Sequence, residues 1–196
     1  MSNAGGVKSL NRYSDMLAGN TVWSPWTPAG AYDALATVTV PSGGAASVTF
    51  AGIPQGYKHL QVRAIQRSSR AAANDYGNIY LNSDTTGANY TQHRLRGDGS
   101  TASAAAGTSD FSYGDYPAGS TTASVFGGFI FDLLDYTSTN KNKTQRLLFG
   151  YDANGSGQIN LTSKLWLSTA AVTSITFDNR GVNWASETTF ALYGVK

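Results

Sequence analysis

The sequence predicts an all-β protein that folds as a β-sandwich of jelly-roll type. Short segments of alternating apolar and polar residues recur along most of the chain, as expected for strands whose side chains point alternately to two faces. No segment repeats its apolar residues with the 3.6-residue period of an amphipathic helix. The chain has 22 glycines in 196 residues, which supply turns between closely spaced strands. Two packed sheets would hide the edges of these strands.

Residues 1–30 differ from the rest of the chain and are predicted to form an extended N-terminal arm. The segment has no strand or helix period, and the two prolines of VWSPWTP hold their neighbours extended. Its large apolar side chains, Trp23 and Trp26, are rare in disordered tails. Two interpretations stay open: the arm lies on a neighbouring subunit, or the tryptophans cover the sandwich of their own chain. In the first case Val22, Trp23 and Trp26 bind the partner.

Residues 31–196 are predicted to form a single sandwich domain with nine strands. The predicted strands are Leu35–Val40, Ser47–Phe50, His59–Ile65, Asn78–Asn82, Val125–Tyr136, Gln145–Asp152, Gln158–Leu167, Ser174–Phe177 and Thr188–Val195. The turn PSGGAA follows the first strand and DANGSG follows the sixth. Both predict hairpins, because glycine adopts positive φ without strain. Gly127 and Gly128 predict a bulge or a close approach of another segment.

The segment from Thr101 to Thr122 is rich in Ala, Ser, Thr, Gly and Tyr and is predicted to be a long loop. Loops of this length in compact domains are usually functional or contact a partner. Tyr113 and Tyr116 are therefore candidate partner-binding residues, since aromatic rings are enriched in protein interfaces and also stack on sugars. The sequence does not separate these two uses.

We predict no metal site and no cofactor. The segment that begins at Asp152 places oxygen ligands at alternate positions, as in the first half of a Ca²⁺ loop. The twelfth position holds Ser163 instead of a bidentate Glu, and a strand-linking turn uses the same residue types, so we predict a turn. His59 and His93 have no Cys or carboxylate at ligand spacing and are predicted to be surface or interfacial residues.

No catalytic constellation is predicted, and we expect a protein that is not an enzyme. Asp132 and Asp135 are the strongest candidates for a general acid and base, as in glycoside hydrolysis. Residues three apart in a strand point to opposite faces, which argues against this pair. The sequence has no GxSxG or HExxH motif and no phosphate-binding glycine loop.

Charge and hydropathy favour neither nucleic acid nor membrane as a partner. Charged residues make up only 13% of the chain and the net charge is +2. The arginines that suggest a nucleic-acid surface have acidic neighbours in the sequence, and we predict solvated or interfacial roles for them. These are Arg63, Arg67, Arg70, Arg94 and Arg96. We expect no signal peptide and no membrane span, hence synthesis in the cytoplasm.

Three segments carry a resemblance to a known family. They are YKHLQVRAIQRSSR at 57–70, DLLDYTSTNKNKT at 132–144 and SETTFALYGVK at 186–196. In this order, within residues 31–196, they resemble a domain common in virion proteins of tailed bacteriophages. Proteins of that family are structural, decoration or fibre components, and the resemblance implies no active site. It also supports the jelly-roll topology.

The resemblance implies a structural protein of a phage particle that works by binding alone. We expect an outer capsid decoration or cement protein, or a head-fibre protein, at the outer surface of the virion. The expected partners are other capsid or tail proteins and copies of the chain itself, packed about a rotation axis as a homotrimer. The alternative is a tail-fibre or baseplate module that binds host surface polysaccharide.

Overall fold

The computed structural model describes residues 31–196, which form twelve β-strands and one short 3₁₀ turn. The strands are β1 Tyr32–Thr39, β2 Ser47–Ala51, β3 His59–Gln66, β4 Asn74–Leu81, β5 Tyr90–Gly97, β6 Ala102–Thr108, β7 Ser112–Pro117, β8 Gly127–Leu133, β9 Lys143–Asp152, β10 Gly157–Trp166, β11 Ser174–Asp178 and β12 Thr189–Val195. The described part of the chain contains no helix long and apolar enough to cross a membrane. The predicted arm, with Val22, Trp23 and Trp26, lies outside the described residues.

The strands form two antiparallel sheets, which confirms the predicted β-sandwich. The larger sheet has eight strands in the order β1-β12-β3-β8-β9-β10-β5-β6, and the smaller has four in the order β2-β11-β4-β7. Alternate residues of the central strands point between the sheets and are buried there. The core therefore lies between the smaller sheet and the part of the larger sheet that faces it.

Eight of the strands follow the jelly-roll order. When the hairpins β5–β6 and β9–β10 are set aside, the remaining strands, renumbered one to eight, lie in the orders 1-8-3-6 and 2-7-4-5. The two hairpins are additions that extend one edge of the larger sheet. Strand β7 ends the smaller sheet opposite β9 and β10, so β5 and β6 project beyond it. We call β5 and β6, together with their neighbour β10, the overhang.

The turn PSGGAA does not form the predicted hairpin. Strand β1 pairs with β12 in the larger sheet, whereas β2 pairs with β11 in the smaller one, so the turn crosses between the sheets. Its glycines are still required: Gly43 and Gly44 have φ of 94° and 80°. A Cβ on Gly44 would lie 2.6 Å from the carbonyl oxygen of Trp184. The hairpin predicted at DANGSG is confirmed, since β9 pairs with β10 across it.

The predicted loop from Thr101 to Thr122 is wrong, because the segment contains β6 and β7. Strand β6 consists of Ala, Ser, Gly and Thr, which have little intrinsic preference for strands apart from Thr. It becomes a strand because it pairs along its whole length with β5, which was also missed in the sequence. Strand β7 pairs with β4 and closes the smaller sheet.

Aromatic rings fill the centre of the core. The ring of Phe177 on β11 lies 4.9 Å from that of Phe190, 5.8 Å from that of Phe129 and 6.0 Å from that of Phe131. Such pairs add roughly 0.5–1.5 kcal/mol each beyond the area they bury. Gly127, on β8, is the close approach that the sequence predicted, because a Cβ there would lie 2.9 Å from Pro117.

A buried chain of polar side chains links both sheets at one end of the core. The Tyr116 hydroxyl donates to Asn179 Oδ1 at 2.7 Å, and Asn179 Nδ2 donates to Ser68 Oγ at 3.1 Å. Ser68 Oγ in turn donates to Asp75 Oδ2 at 2.7 Å, and Arg70 pairs with the other carboxylate oxygen at 3.0 Å. Each buried side chain in this hydrogen-bonded network has a partner, so the network fixes the ends of β4, β7 and β11 together.

Candidate functional site

Strand β10 has its polarity inverted with respect to an ordinary sandwich strand. Ile159 and Leu161 point to solvent and are 60% and 53% exposed. The polar residues that alternate with them along β10 face inward and are buried: Gln158, Asn160, Thr162 and Lys164. A strand with one solvated face normally buries its apolar side. The inversion leaves an apolar face toward solvent and a polar face toward the smaller sheet.

The outward side chains join into an apolar patch across the larger sheet. Leu95 on β5, Leu161 on β10, Leu148 on β9 and Ile130 on β8 lie directly opposite one another in succession. Ile159 and Ile65 belong to the neighbouring row, which also contains Gly97, Gly150 and Gly128. We call the six residues Ile65, Leu95, Ile130, Leu148, Ile159 and Leu161 the apolar face.

The glycines make a hollow in the apolar face. This hollow of ≈ 590 Å³ lies beside Ile130, Leu148 and Ile159. Gly128 forms part of its floor, and a Cβ there would meet no atom within 4 Å. A second hollow of ≈ 500 Å³ is lined by Leu95, Leu161 and the alanines 104–106 of β6. The apolar face therefore has ridges and hollows, which a partner of complementary shape can fill as in other protein interfaces.

Charged groups at the rim of the apolar face include one ion pair and one arginine that contacts neutral groups. Arg146 lies 3.3 Å from Asp132 Oδ2, and Arg63 Nε donates to Gln61 Oε1 at 2.7 Å. The Arg63 guanidinium also lies 5.2 Å from the ring centres of both Tyr32 and Tyr193. A second surface that covers this face would meet few unpaired charges.

A polar cleft of ≈ 400 Å³ lies on the inner side of the overhang. Side chains from β5 and β10 form one wall, and residues of β4, of β7 and of the turn before β7 form the other. The lining includes Tyr76, Arg94, Arg96, Asp110, Asp115 and Thr162. The register pairs Arg94 with Thr162 and Arg96 with Asn160, so these four side chains lie side by side on one face.

A β-bulge directs Asp115 into this cleft. Asp75 pairs with Tyr116 and the next residue, Tyr76, pairs with Gly114, so Asp115 is the extra residue of β7. Its Oδ2 lies 3.9 Å from NH1 of both Arg94 and Arg96, and Asn74 Nδ2 donates to its Oδ1 at 3.0 Å. Burial raises the pKa of Asp115 above its usual value, against the opposing effect of the two arginines.

Lys164 ties the overhang to the smaller sheet at the end of the cleft. Its buried Nζ donates to the carbonyl oxygens of Asp110 at 3.1 Å and Ser112 at 2.5 Å. Burial lowers the pKa of Lys164 to about 8. Because both acceptors are backbone groups at the start of β7, the lysine holds the wall that carries Asp115.

Tyr113 and Tyr116 lie in the core, not at the surface. Both rings are buried on β7, and their hydroxyls donate to Gln66 Oε1 at 3.1 Å and to Asn179 Oδ1 at 2.7 Å. The prediction that these rings bind a partner from an exposed loop is therefore wrong. The physical reason is the bulge at Asp115, which turns both tyrosines inward although they are three residues apart.

The arginines considered for nucleic-acid binding lie in separate places. Arg63 lies on the outer face of the larger sheet, whereas Arg94 and Arg96 line the cleft. Arg67 is buried and donates to four carbonyl oxygens, those of residues 119, 121, 122 and 125. It closes a loop of its own chain, so the prediction of a solvated or interfacial role is wrong for Arg67.

The other candidate sites form turns or surface pairs. Asp152 Oδ1 accepts from the backbone N of Asn154 at 2.7 Å and of Gly155 at 3.1 Å, which is the geometry of the predicted turn. Asp135 follows β8 and pairs with Lys58 and Lys141, which lower its pKa to about 2. Within residues 31–196 no group of three or more His, Cys, Asp and Glu side chains could hold a metal ion.

Comparison with known proteins identifies no relative: no protein-family model, curated protein or solved structure matches the chain.

Proposed function

We propose that the chain is a non-enzymatic structural protein of a tailed-bacteriophage particle, located on the outside of the capsid as a decoration, cement or head-fibre subunit. It stabilises the particle through contacts between subunits, and it forms a homo-oligomer through the apolar face. The inverted polarity of β10 is the observation that carries this proposal.

The size of the apolar face supports a protein partner. It crosses five strands, β5 to β3, in two rows. At about 4.8 Å per strand and 7 Å between rows, the apolar part covers on the order of 300 Å². Apolar patches of about 300–600 Å² are often functional. A standard interface buries about 800 Å² per partner, so the apolar face would form the centre of such an interface and its polar rim would supply the rest.

A second copy of the chain is the partner that the charges favour. The Arg146–Asp132 pair is neutral, and the remaining positive charge of Arg63 lies beside the rings of Tyr32 and Tyr193, so the same surface can approach itself with little like-charge repulsion. The chain has only 13% charged residues, which suits a subunit that packs closely against its copies. The predicted homotrimer is one such arrangement, and the predicted arm would add contacts to the particle.

Quantitative mass spectrometry of purified particles tests the proposed location. A shell subunit is present in hundreds of copies, because it repeats with the capsid lattice. A handful to a few dozen copies per particle would instead indicate a tail component. Absence of the chain from purified particles would contradict both positions.

A tail-fibre or baseplate module that binds host polysaccharide is the second candidate function. The tyrosines that suggested it are buried, and they no longer support it. The polar cleft beneath the overhang favours it instead, because it is an open recess lined by donors and acceptors on the part of the sheet that the jelly roll does not need.

A further inference from the structure

We infer that the polar cleft, with Asp115, Arg94 and Arg96 at its centre, binds a neutral saccharide unit. This inference deepens the second candidate function, and it rests on residues that the apolar face does not use. It can therefore hold or fail independently of the proposed oligomer.

The backbone at the cleft departs from the regular ladder to place one side chain. Gly114, which precedes Asp115, has φ of +116°, a conformation that L side chains rarely adopt. A Cβ there would also lie 2.8 Å from the ring of Tyr116. Bulges occur often next to functional sites because they re-aim a side chain. Here the bulge points a carboxylate at the inner face of β5.

The cleft contains buried polar atoms that no group in residues 31–196 satisfies. Asp115 Oδ2 and Thr162 Oγ1 are both buried without a hydrogen-bond partner there. The arginines at 3.9 Å are too far from Asp115 Oδ2 for a hydrogen bond. Such atoms are few in native proteins, since each one costs free energy. A ligand hydroxyl that donates to Asp115 and accepts from an arginine would replace one long ion pair with two hydrogen bonds.

The arginines leave a route to this position. Their side chains are 33% and 36% exposed, for Arg94 and Arg96 respectively, so each guanidinium can turn toward solvent. Among the described residues, neither guanidinium donates a hydrogen bond that this motion would break. The cleft volume of ≈ 400 Å³ lies within the range of small-molecule sites, about 300–1,000 Å³, and accommodates a mono- or disaccharide.

The charges of the cleft favour a neutral ligand. Two arginines face two carboxylates in the lining, those of Asp110 and Asp115, and the ammonium of Lys164 at the end of the cleft is already bonded to two carbonyl oxygens, so an anion such as phosphate meets little free positive charge. A sugar hydroxyl both donates and accepts a hydrogen bond, which matches a lining where donors and acceptors alternate.

Saturation-transfer NMR and isothermal calorimetry on the full chain test the inference. The probes are maltotriose, mannotriose, galactobiose, rhamnobiose and chitotriose, with inorganic phosphate as the anionic comparison. We expect at least one sugar to bind, and Asp115→Asn and Arg96→Gln each to weaken that binding tenfold or more. Ala105→Phe, which fills the cleft without removing a polar group, should abolish it.

The matched controls are Asp132→Asn and Arg146→Gln, which alter an acid–arginine pair on the opposite face of the same sheet. They should change sugar affinity less than twofold. Each variant is first checked by its melting temperature, and Ala105→Phe keeps the test open if Asp115→Asn does not fold. No binding of any probe sugar, binding that survives all three cleft variants, or stronger binding of phosphate than of every sugar would overturn the inference.

Discussion

Leu161 of β10 lies directly opposite Leu148 of β9 on the outer face of the larger sheet, and the two side chains are 53% and 45% exposed. Opposed leucines on neighbouring strands normally form part of a core. Here the residues beside them, Asn160 and Thr162, occupy the inside. The pair thus lies at the centre of the surface through which we propose that copies assemble.

Removal of the Asn179 side chain should unfold the sandwich at lower denaturant concentration. Asn179→Ala leaves the Tyr116 hydroxyl and Ser68 without their partner in a buried chain of hydrogen bonds. We expect a loss of about 2–4 kcal/mol in the free energy of unfolding, measured in urea. Asn183→Ala, at an exposed position nearby, is the control and should cost under about 0.5 kcal/mol. Equal stability of the two variants would show that the buried chain contributes little.

A side chain at position 194 should displace Tyr57. The Tyr57 ring covers Gly194 on β12, and a Cβ there would lie 2.5 Å from the ring. Gly194→Ala should therefore lower stability by about 1–3 kcal/mol. In the double variant with Tyr57→Ala the added cost should nearly vanish, because the clash is removed. Gly128→Ala, which has open space, should be tolerated. Additive effects of the Gly194 and Tyr57 changes would contradict this contact.

Ionisation of Asp115 should weaken the fold in the absence of ligand. Burial raises the pKa of Asp115 in the folded chain, so the folded state holds this proton more tightly than the unfolded state. The free energy of unfolding therefore falls as the pH rises from the unfolded pKa, near 3.9, through the raised folded value. Asp115→Asn removes this component. We expect the free energy of unfolding of Asp115→Asn minus that of wild type, measured in urea, to be larger at pH 7 than at pH 4. A smaller difference at pH 7 than at pH 4 would contradict the raised pKa.

The sequence predicted the fold class and most strands, because alternation is a local property. Strand β10 was expected at Gln158–Leu167 and runs over Gly157–Trp166. Alternation does not say which side is inside, however, and the inversion of Ile159 and Leu161 depends on where the smaller sheet ends. Strand β6 carried no local signal, since its pairing with β5 decides its conformation.

The candidate sites were harder to predict than the fold. The sequence identifies Arg94 and Arg96 of β5 as basic residues, but it does not show that the carboxylate of Asp115 lies beside them. Asp115 enters the cleft because of a bulge in β7. The bulge depends on how β7 pairs with Asp75 and Tyr76, which lie roughly forty residues earlier in the chain. The same bulge buries Tyr113 and Tyr116. No pattern within the segment itself reports such a register shift.

Sedimentation equilibrium of the full chain tests the central claim, that copies assemble through the apolar face. Wild type should form a homo-oligomer, and Leu161→Glu should be monomeric at the same concentration and should melt like dilute, dissociated wild type, since position 161 faces solvent in the single chain. Leu167→Glu is the matched control: this exposed leucine directly follows β10, about 20 Å along the strand from Leu161 and beyond the apolar face, and the variant should assemble like wild type. A wild-type chain that stays monomeric, or a Leu161→Glu variant that assembles as strongly as wild type, would contradict the account.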